Sequence, residues 1–476
     1  MVGVSDTRRM TQRRELVLIS AASLAAALVS VFLLPAITGP DPNAWLTWSR
    51  SLLDGLGIDF RYGPAWKPLP VLMTLPLGLL GKGFAAWSWL LIVRFATFWC
   101  SGALYLLVRR DAGLLAGLVA AILPFTIRPW VNVGVAGESE TLALALVLAA
   151  ALLHFSGRSR WTVAILTLAG LSRPEVWPLI LIYVAWQAKQ GDRRALWAGA
   201  GSLLALAFFW VVGPKLVEIG PGAFGNTSGH SLHDASLRTI VDNTLGVIPP
   251  KAWVLIPIGL LGAIFERRWT ILLLGIGAGA LVVEITVLWA LHPPISQTGY
   301  TPVLRYFAAA GVLACGVAGQ GAESLRDIFP KGAGRWIGTV AVIGLVGWSV
   351  GTSISGTRTS VDRARAIASS TDGAIAAVNA AGGVERLKPC FPFTISNYSA
   401  ISWDIARRLG VPLSSATVKP HSPSVAFDYT AGSWILITVP PGVHKGSRVL
   451  GRSSTWAITY YPGFGGCLKG VTPDAK

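Results

Sequence analysis

Apolar runs alternate with short cationic turns over most of the chain, and this alternation predicts a bundle of membrane helices. The runs fall at 16–37, 84–108, 112–130, 139–156, 160–171, 174–187, 195–213, 252–265, 269–291, 303–319 and 336–353. A span needs about 20 apolar residues to cross the hydrocarbon of a bilayer. The two runs flanking Ser172-Arg173-Pro174-Glu175 are shorter than that, which predicts a helical hairpin whose tip lies within the membrane. Three stretches are too long or too polar for turns: 38–80, 217–251 and everything after Gly351. In the first, Trp45, Leu46, Trp48, Leu52 and Leu53 recur at helical spacing, and 70–80 is apolar but too short to cross, so both segments predict helices lying along the interface.

Beyond residue 357 the pattern changes to mixed polar sequence with alternating apolar runs such as 433–439, and 361–381 reads as a helix. This predicts a small α/β domain outside the membrane. The expected organisation is an α-helical polytopic membrane domain over 1–353 and an extracytoplasmic C-terminal domain over 354–476.

Composition supports an integral membrane protein: 53% of the 476 residues are hydrophobic, 13% are charged, and the mean hydropathy is +0.57. The formal charge of +17 would suggest nucleic acid in a soluble protein. Here the cations punctuate the loops, at Arg8, Arg9, Arg13 and Arg14, at Arg109 and Arg110, at Arg158 and Arg160, at Lys189, Arg193 and Arg194, at Arg267 and Arg268, and at Arg326, Lys331 and Arg335. Placing them all in the cytoplasm gives about eleven spans in a plasma membrane, with the N-terminus inside and the C-terminal domain outside. The basic excess is then topological, and no nucleic-acid partner is implied. The first apolar run is longer than a signal-peptide core and lacks a clear small-residue cleavage site, so it reads as a retained anchor.

Cys390 and Cys467 fall in the external domain, where an oxidising compartment would let them pair, whereas Cys100 and Cys315 lie in spans and read as packing residues. No Cys/His spacing resembles a zinc site, and no glycine-rich phosphate loop follows a strand.

The polar interruption after the first run carries the candidate chemistry. Asp41, in Gly39-Pro40-Asp41-Pro42-Asn43, has two readings: an N-cap with Pro42 in the first helical position, or a carboxylate facing a cavity at the outer interface. Lys67, Arg128, Arg173 and Arg305 fit none of the cytoplasmic clusters. A charge in or near hydrocarbon needs a partner or water, so these four read as ligand-binding, ion-paired or, for Lys67 and Arg128, snorkelling cations. Arg173 has Glu175 as a candidate partner. Glu138 and Glu140 open a helix, where acids complement the dipole. Glu284 lies within the ninth run and needs a partner, and His230, His233 and Asp234 form a loose polar cluster in the second long external stretch. Any of these acids or histidines could join Asp41 in binding a divalent cation such as Mg or Mn, though the spacing is unspecific.

A first span, an external loop with an early Asp and interfacial helices, about eleven spans, an Arg-Pro-Glu at a short hairpin, Arg305-Tyr306 opening a late span and an external C-terminal domain together resemble the GT-C glycosyltransferases. These are integral membrane enzymes that use polyprenyl-phosphate sugars. The resemblance covers 1–353 in architecture; 65–70 and the abundance of Trp look similar to actinobacterial members that build cell-envelope mannans or arabinans. It implies Asp41 as the general base of an inverting transfer, Arg305, Arg173, Lys67 and Arg128 as candidate ligands of the donor phosphate, and Trp45, Trp66 and Tyr306 as walls for sugar or prenyl chain. The implied partners are a polyprenyl-phosphate-linked sugar, an envelope glycan, glycolipid or protein acceptor, and membrane lipids. Many relatives carry two adjacent acids where this chain has Asp41-Pro42-Asn43. A transporter or flippase for an envelope lipid would line its path with the same buried charges, although the repeats common in transporters are not evident. An assembly protein using its external domain for a partner is a third class.

Overall fold

The computed structural model describes residues 3–60, 63–219, 237–249, 251–291, 304–391, 393–395, 399–413, 416–417, 424–429, 448–454 and 456–461. It is a multi-pass membrane protein, α-helical apart from one small sheet. After the long first helix α1 (Gly3–Leu33) come two short helices, α2 (Pro40–Leu53) and α3 (Pro68–Gly78), at the positions expected for interfacial helices. Each begins on a proline, which fixes φ and gives up an N–H that no helix start could satisfy. Then α4 (Lys82–Ala112) crosses back, and α5 (Leu114–Ile122), a 3-10 turn over Leu123–Thr126 and α6 (Arg128–Ala136) follow. The expected single run 112–130 is instead a broken element, bent by 71° at Ile127, which is extended; Pro129, two residues on, has no N–H to carry the helix through the break.

Next come α7 (Ser139–Phe155), α8 (Ser159–Ser172), α9 (Trp177–Lys189), α10 (Arg193–Ala207), a π-helical turn over Phe208–Val212, α11 (Gly213–Val217), α12 (Leu237–Gly246), α13 (Leu255–Phe265), α14 (Trp269–Leu291) and α15 (Leu304–Asp327). Between α8 and α9 lies the expected hairpin tip, a 3-10 turn over Pro174–Val176. By length and apolarity alone, five described helices can cross a membrane, or six with the bent pair, against the eleven segments that the sequence suggests. The difference lies in helices such as α7, α8, α9 and α13, which are apolar yet shorter than a full span.

The α13 and α15 backbones meet through glycines. A Cβ on Gly259 would lie 1.9 Å from the Val317 carbonyl oxygen, and one on Gly321 equally close to that of Leu255. In hydrocarbon, where apolar burial does not drive helices together, such small-residue contacts provide the packing. They fix α15, and with it Arg305 and Tyr306 at one end and Arg326 at the other.

Helix α16 (Ala333–Ala380) runs unbroken through the expected boundary at 353/354, merging the last apolar run with the helix read at 361–381. Beyond it lie α17 (Val384–Leu387), β1 (Phe393–Ile395), α18 (Ser399–Leu409), β2 (Ala416–Thr417), β3 (Ser424–Tyr429), β4 (Arg448–Arg452) and β5 (Trp456–Tyr461). The strands form one sheet in the order β2-β1-β3-β5-β4, parallel between β1 and both β2 and β3, antiparallel between β5 and both β3 and β4. The α/β character expected here is present. Cys390 is disulfide-bonded, and Cys100 and Cys315 are free and buried; Cys467, the expected partner of Cys390, lies outside the described residues, as do His230, His233 and Asp234.

Candidate active site

Asp41 is not an N-cap. Pro40, not Pro42, takes the first helical position of α2, and Gly39 in extended conformation stands before it with no side-chain cap. Asp41 thus falls in the first turn with its carboxylate free to reach other elements. It is 6% exposed, and its Oδ2 lies 3.0 Å from Lys67 Nζ and 3.2 Å from an Arg305 terminal nitrogen. Both contacts fall on the same oxygen; among the described residues Oδ1 accepts no hydrogen bond.

Lys67 precedes α3, and its Nζ also donates to Ser139 Oγ at 3.2 Å and sits 5.1 Å from the centroid of the Trp45 ring. Arg305, in the first turn of α15, reaches three carboxylates: Asp41, Glu138 Oε2 at 3.3 Å and Glu140 Oε1 at 3.6 Å. Arg173 at the hairpin tip lies 2.8 Å from Glu140 Oε1 and 2.7 Å from Glu175 Oε1. The Tyr306 ring carries both guanidiniums, Arg173 at 5.0 Å and Arg305 at 5.2 Å from its centroid.

One network results among the described residues. Asp41, Glu138, Glu140 and Glu175 supply four carboxylates against the three cations Lys67, Arg173 and Arg305. Two of its acids lie in turns outside the long helices. Burial alone would raise the Asp41 carboxyl, but Arg305 and Lys67 outweigh it and hold Asp41 well below the usual carboxylate range. For Glu138, burial and then the Asp41 charge push the carboxyl up to about 8, with Arg305 acting against them. The odd negative charge is therefore removed by a proton on Glu138, and Asp41 stays ionised. Close approach of the two turns depends on Gly39, where a Cβ would lie 2.3 Å from Glu138 Oε1.

The structure brings together Asp41, Lys67, Arg173, Arg305 and Tyr306, and pairs Arg173 with Glu175. The remaining aromatic and basic candidates lie elsewhere or in the packing around this network. Arg128, at the start of α6, makes no ion pair among the described residues and lines a separate cavity of about 690 Å³ with Thr126, Trp253 and residues of α12 and α16. Trp66 packs against Trp48 and Phe60 and donates its Nε1–H to the Phe209 carbonyl at 2.9 Å. Trp45 is fully buried beneath Lys67 and edge-on to Trp89, so it is a packing residue and not an exposed wall. Glu138 and Glu140, read as ordinary first-turn acids, are instead ligands of Arg305 and Arg173. The signal available was that α7 starts on the same side of the membrane as Asp41. Glu284 is half-buried in α14 with no ion pair among the described residues. Nor do any three His, Cys, Asp or Glu side chains among the described residues form a group able to hold a metal ion.

No protein-family model matches the chain, and no curated protein matches it. Two solved structures do share its architecture, both of ArnT from Cupriavidus metallidurans. One is the protein bound to undecaprenyl phosphate, with a TM-score of 0.52, and the other its apo state, with a TM-score of 0.54. Each is 14% identical and covers 94% of this chain and 98% of its own. The chain has the fold of ArnT. That likeness runs over nearly the whole length, so the ArnT fold includes both the helical bundle and the C-terminal sheet domain.

Proposed function

We propose that the protein is a membrane glycosyltransferase that moves a sugar from a polyprenyl-phosphate donor to an acceptor hydroxyl on the outer face, with inversion and with Asp41 as general base. The observation that carries this reading is the Asp41 carboxylate, kept ionised by Arg305 and Lys67 while its Oδ1 accepts no hydrogen bond from the described residues. The ArnT structure bound to undecaprenyl phosphate, with the same fold, supports the lipid class of the donor.

The acceptor oxygen attacks the anomeric carbon, its proton passes to Asp41 Oδ1, and the bond from the anomeric carbon to phosphate oxygen breaks with its electron pair leaving on the polyprenyl phosphate. A phosphate is a good leaving group, so one base suffices, in contrast to a glycosidase, which pairs its base or nucleophile with an acid. Charge grows on the departing phosphate, and Arg173 and Arg305 meet it with fixed, bidentate donors. Arg305 is available for this because one of its partners, Glu138, holds a proton and gives up the guanidinium at little cost. Tyr306 keeps the two guanidiniums in register and offers its ring to sugar or lipid. An envelope glycan, glycolipid or protein is the proposed acceptor, reached from the side of the C-terminal domain.

The test is Asp41→Asn in protein reconstituted in lipid nanodiscs and supplied with polyprenyl-phosphate sugars. Transfer is expected to fall by roughly a hundredfold to ten-thousandfold, the usual contribution of a positioned base, while donor binding persists. Unchanged lipid-linked sugar movement with no transfer in either protein would instead favour a flippase.

A further inference from the structure

Arg94 lies in the middle of α4, 2% exposed, and no carboxylate pairs with it among the described residues. Its partners are carbonyls: Ser30 at 2.9 Å, Pro35 at 3.4 Å and Val135 at 3.3 Å. Ser30 belongs to the last turn of α1 and Val135 to the last turn of α6, so one guanidinium binds carbonyls at the C-terminal ends of two helices, sharing that of Ser30 with the Leu34 N–H, and a cation there is also favoured by both dipoles. The segments leaving those two ends lead directly to Asp41 and Glu138.

Two further bonds tie the same place. Gly39 N–H donates to the Ala136 carbonyl at 2.6 Å, and Trp89 Nε1–H, five residues before Arg94 on α4, donates to the Gly137 carbonyl at 2.8 Å. Three successive carbonyls, 135 to 137, are thus gripped from α4 and from the turn before α2. An intramembrane charge spent on backbone carbonyls is costly unless it secures something.

We propose that Arg94 is a positioning residue, clamping the turn that carries Asp41 to the turn that carries Glu138 so that both acids face Arg305. It touches no reacting atom, and its role rests on the reading of Asp41 given above. Lysine keeps the charge but has one nitrogen where the planar guanidinium uses two, one for the Ser30 carbonyl and the other for those of Pro35 and Val135. In Arg94→Lys, kcat is expected to fall by about 10- to 100-fold, the loss that a misplacement of about 1 Å causes, with KM for the lipid donor within twofold.

The experiment is Arg94→Lys in full-length protein in nanodiscs, followed by transfer kinetics, thermal stability and hydrogen exchange over residues 34–43 and 135–139, with Asp41→Asn alongside. Faster exchange confined to those two segments together with a loss in kcat alone supports the clamp. Wild-type exchange and kcat overturn it, as does a loss that appears only in KM. If Arg94→Lys does not fold, Trp89→Phe, which removes the bond to Gly137 while keeping an aromatic ring, must show the same kcat-only loss, and a wild-type kcat there overturns the proposal. Should Asp41→Asn transfer sugar normally, the reading of Asp41 fails, while the exchange data still decide whether Arg94 clamps the two turns.

Discussion

Helix α15 carries an arginine near each end, and the two sit in opposite circumstances. Arg326, in its last turn, is favoured by the helix dipole and pairs with Glu323, its neighbour Asp327 at 3.2 Å, and, through Asp327, with Arg335. Asp327 and Arg335 there have side chains 42% and 45% exposed. Arg305, in the first turn, faces the positive end of the same dipole, and its three carboxylate partners have side chains only 2% to 8% exposed. The Arg326 group lies with the dipole and keeps Asp327 and Arg335 exposed. The Arg305 group places a cation against the dipole and gathers acids from α2, α7 and the turn before α7 to compensate. Buried charges gathered at such a cost are found at functional sites more often than elsewhere.

The sharpest way to break this contrast is to remove both arginines in parallel. Arg305→Met leaves Asp41 with Lys67 and Glu140 with Arg173 as remaining partners in a buried site, where removing one partner of an ion pair costs up to about 3–5 kcal/mol, and on the proposed reading it also removes a donor to the departing phosphate. Transfer should fall by roughly a thousandfold, with a clear drop in melting temperature. Arg326→Met should leave the rate within twofold; it takes the cation from Glu323, whose side chain is 13% exposed, so the stability cost is expected at about 1–2 kcal/mol, below that of Arg305→Met. Equal losses from the two substitutions would erase the distinction between the ends.

Much of this architecture was legible in the sequence, because spans and interfacial helices depend on local hydropathy. Asp41, Lys67, Arg173 and Arg305 stood out for a related reason: they are charges that the cytoplasmic pattern does not explain. Their convergence was not legible, since Arg305 and Asp41 meet across 264 positions of sequence. Side-chain identity also failed to separate Trp45 and Trp66, which are core, from Tyr306, which lies against both arginines. Arg94 went unnoticed because its partners are carbonyls, which every residue has. Its own signal, a lone cation in the middle of a long apolar run, was present.

A smaller effect is expected from pH, and it sharpens the comparison by testing the proton that the Arg305 group holds. Glu138 keeps its proton up to about pH 8, because burial and Asp41 raise its carboxyl, whereas Asp41 is ionised even below the usual carboxylate range. Below pH 8 the network is balanced and Arg305 is free to turn to the donor. As pH rises through about 8, Glu138 ionises, competes for Arg305 and adds a negative charge beside the phosphate. The rate should therefore be flat from mildly acidic to neutral pH and decline above that point. Glu138→Gln, neutral at every pH, should remove the alkaline decline; a decline that persists unchanged would assign it to another group.

The smallest effect concerns Asn43, an uncharged amide two residues from Asp41. Here its Oδ1 accepts from Arg407 Nε at 2.8 Å and from the Thr38 hydroxyl, and its Nδ2 donates to the Thr38 carbonyl at 3.0 Å. Arg407, on α18, also donates to the Lys82 carbonyl at 2.9 Å, so Asn43 is the point at which the C-terminal domain grips the helix of Asp41. Asn43 thus makes its side-chain bonds to Thr38 and Arg407, the latter in the C-terminal domain. In Asn43→Asp the new carboxylate gains a charge pair with Arg407 and loses the donation to Thr38, terms of opposite sign and each about 1–3 kcal/mol. Transfer should stay within a few-fold of wild type and the melting temperature should move by a few degrees. A loss of activity as large as that of Asp41→Asn would mean that position 43 takes part in the chemistry, and that the Asp41 network contains more than the seven side chains assigned to it.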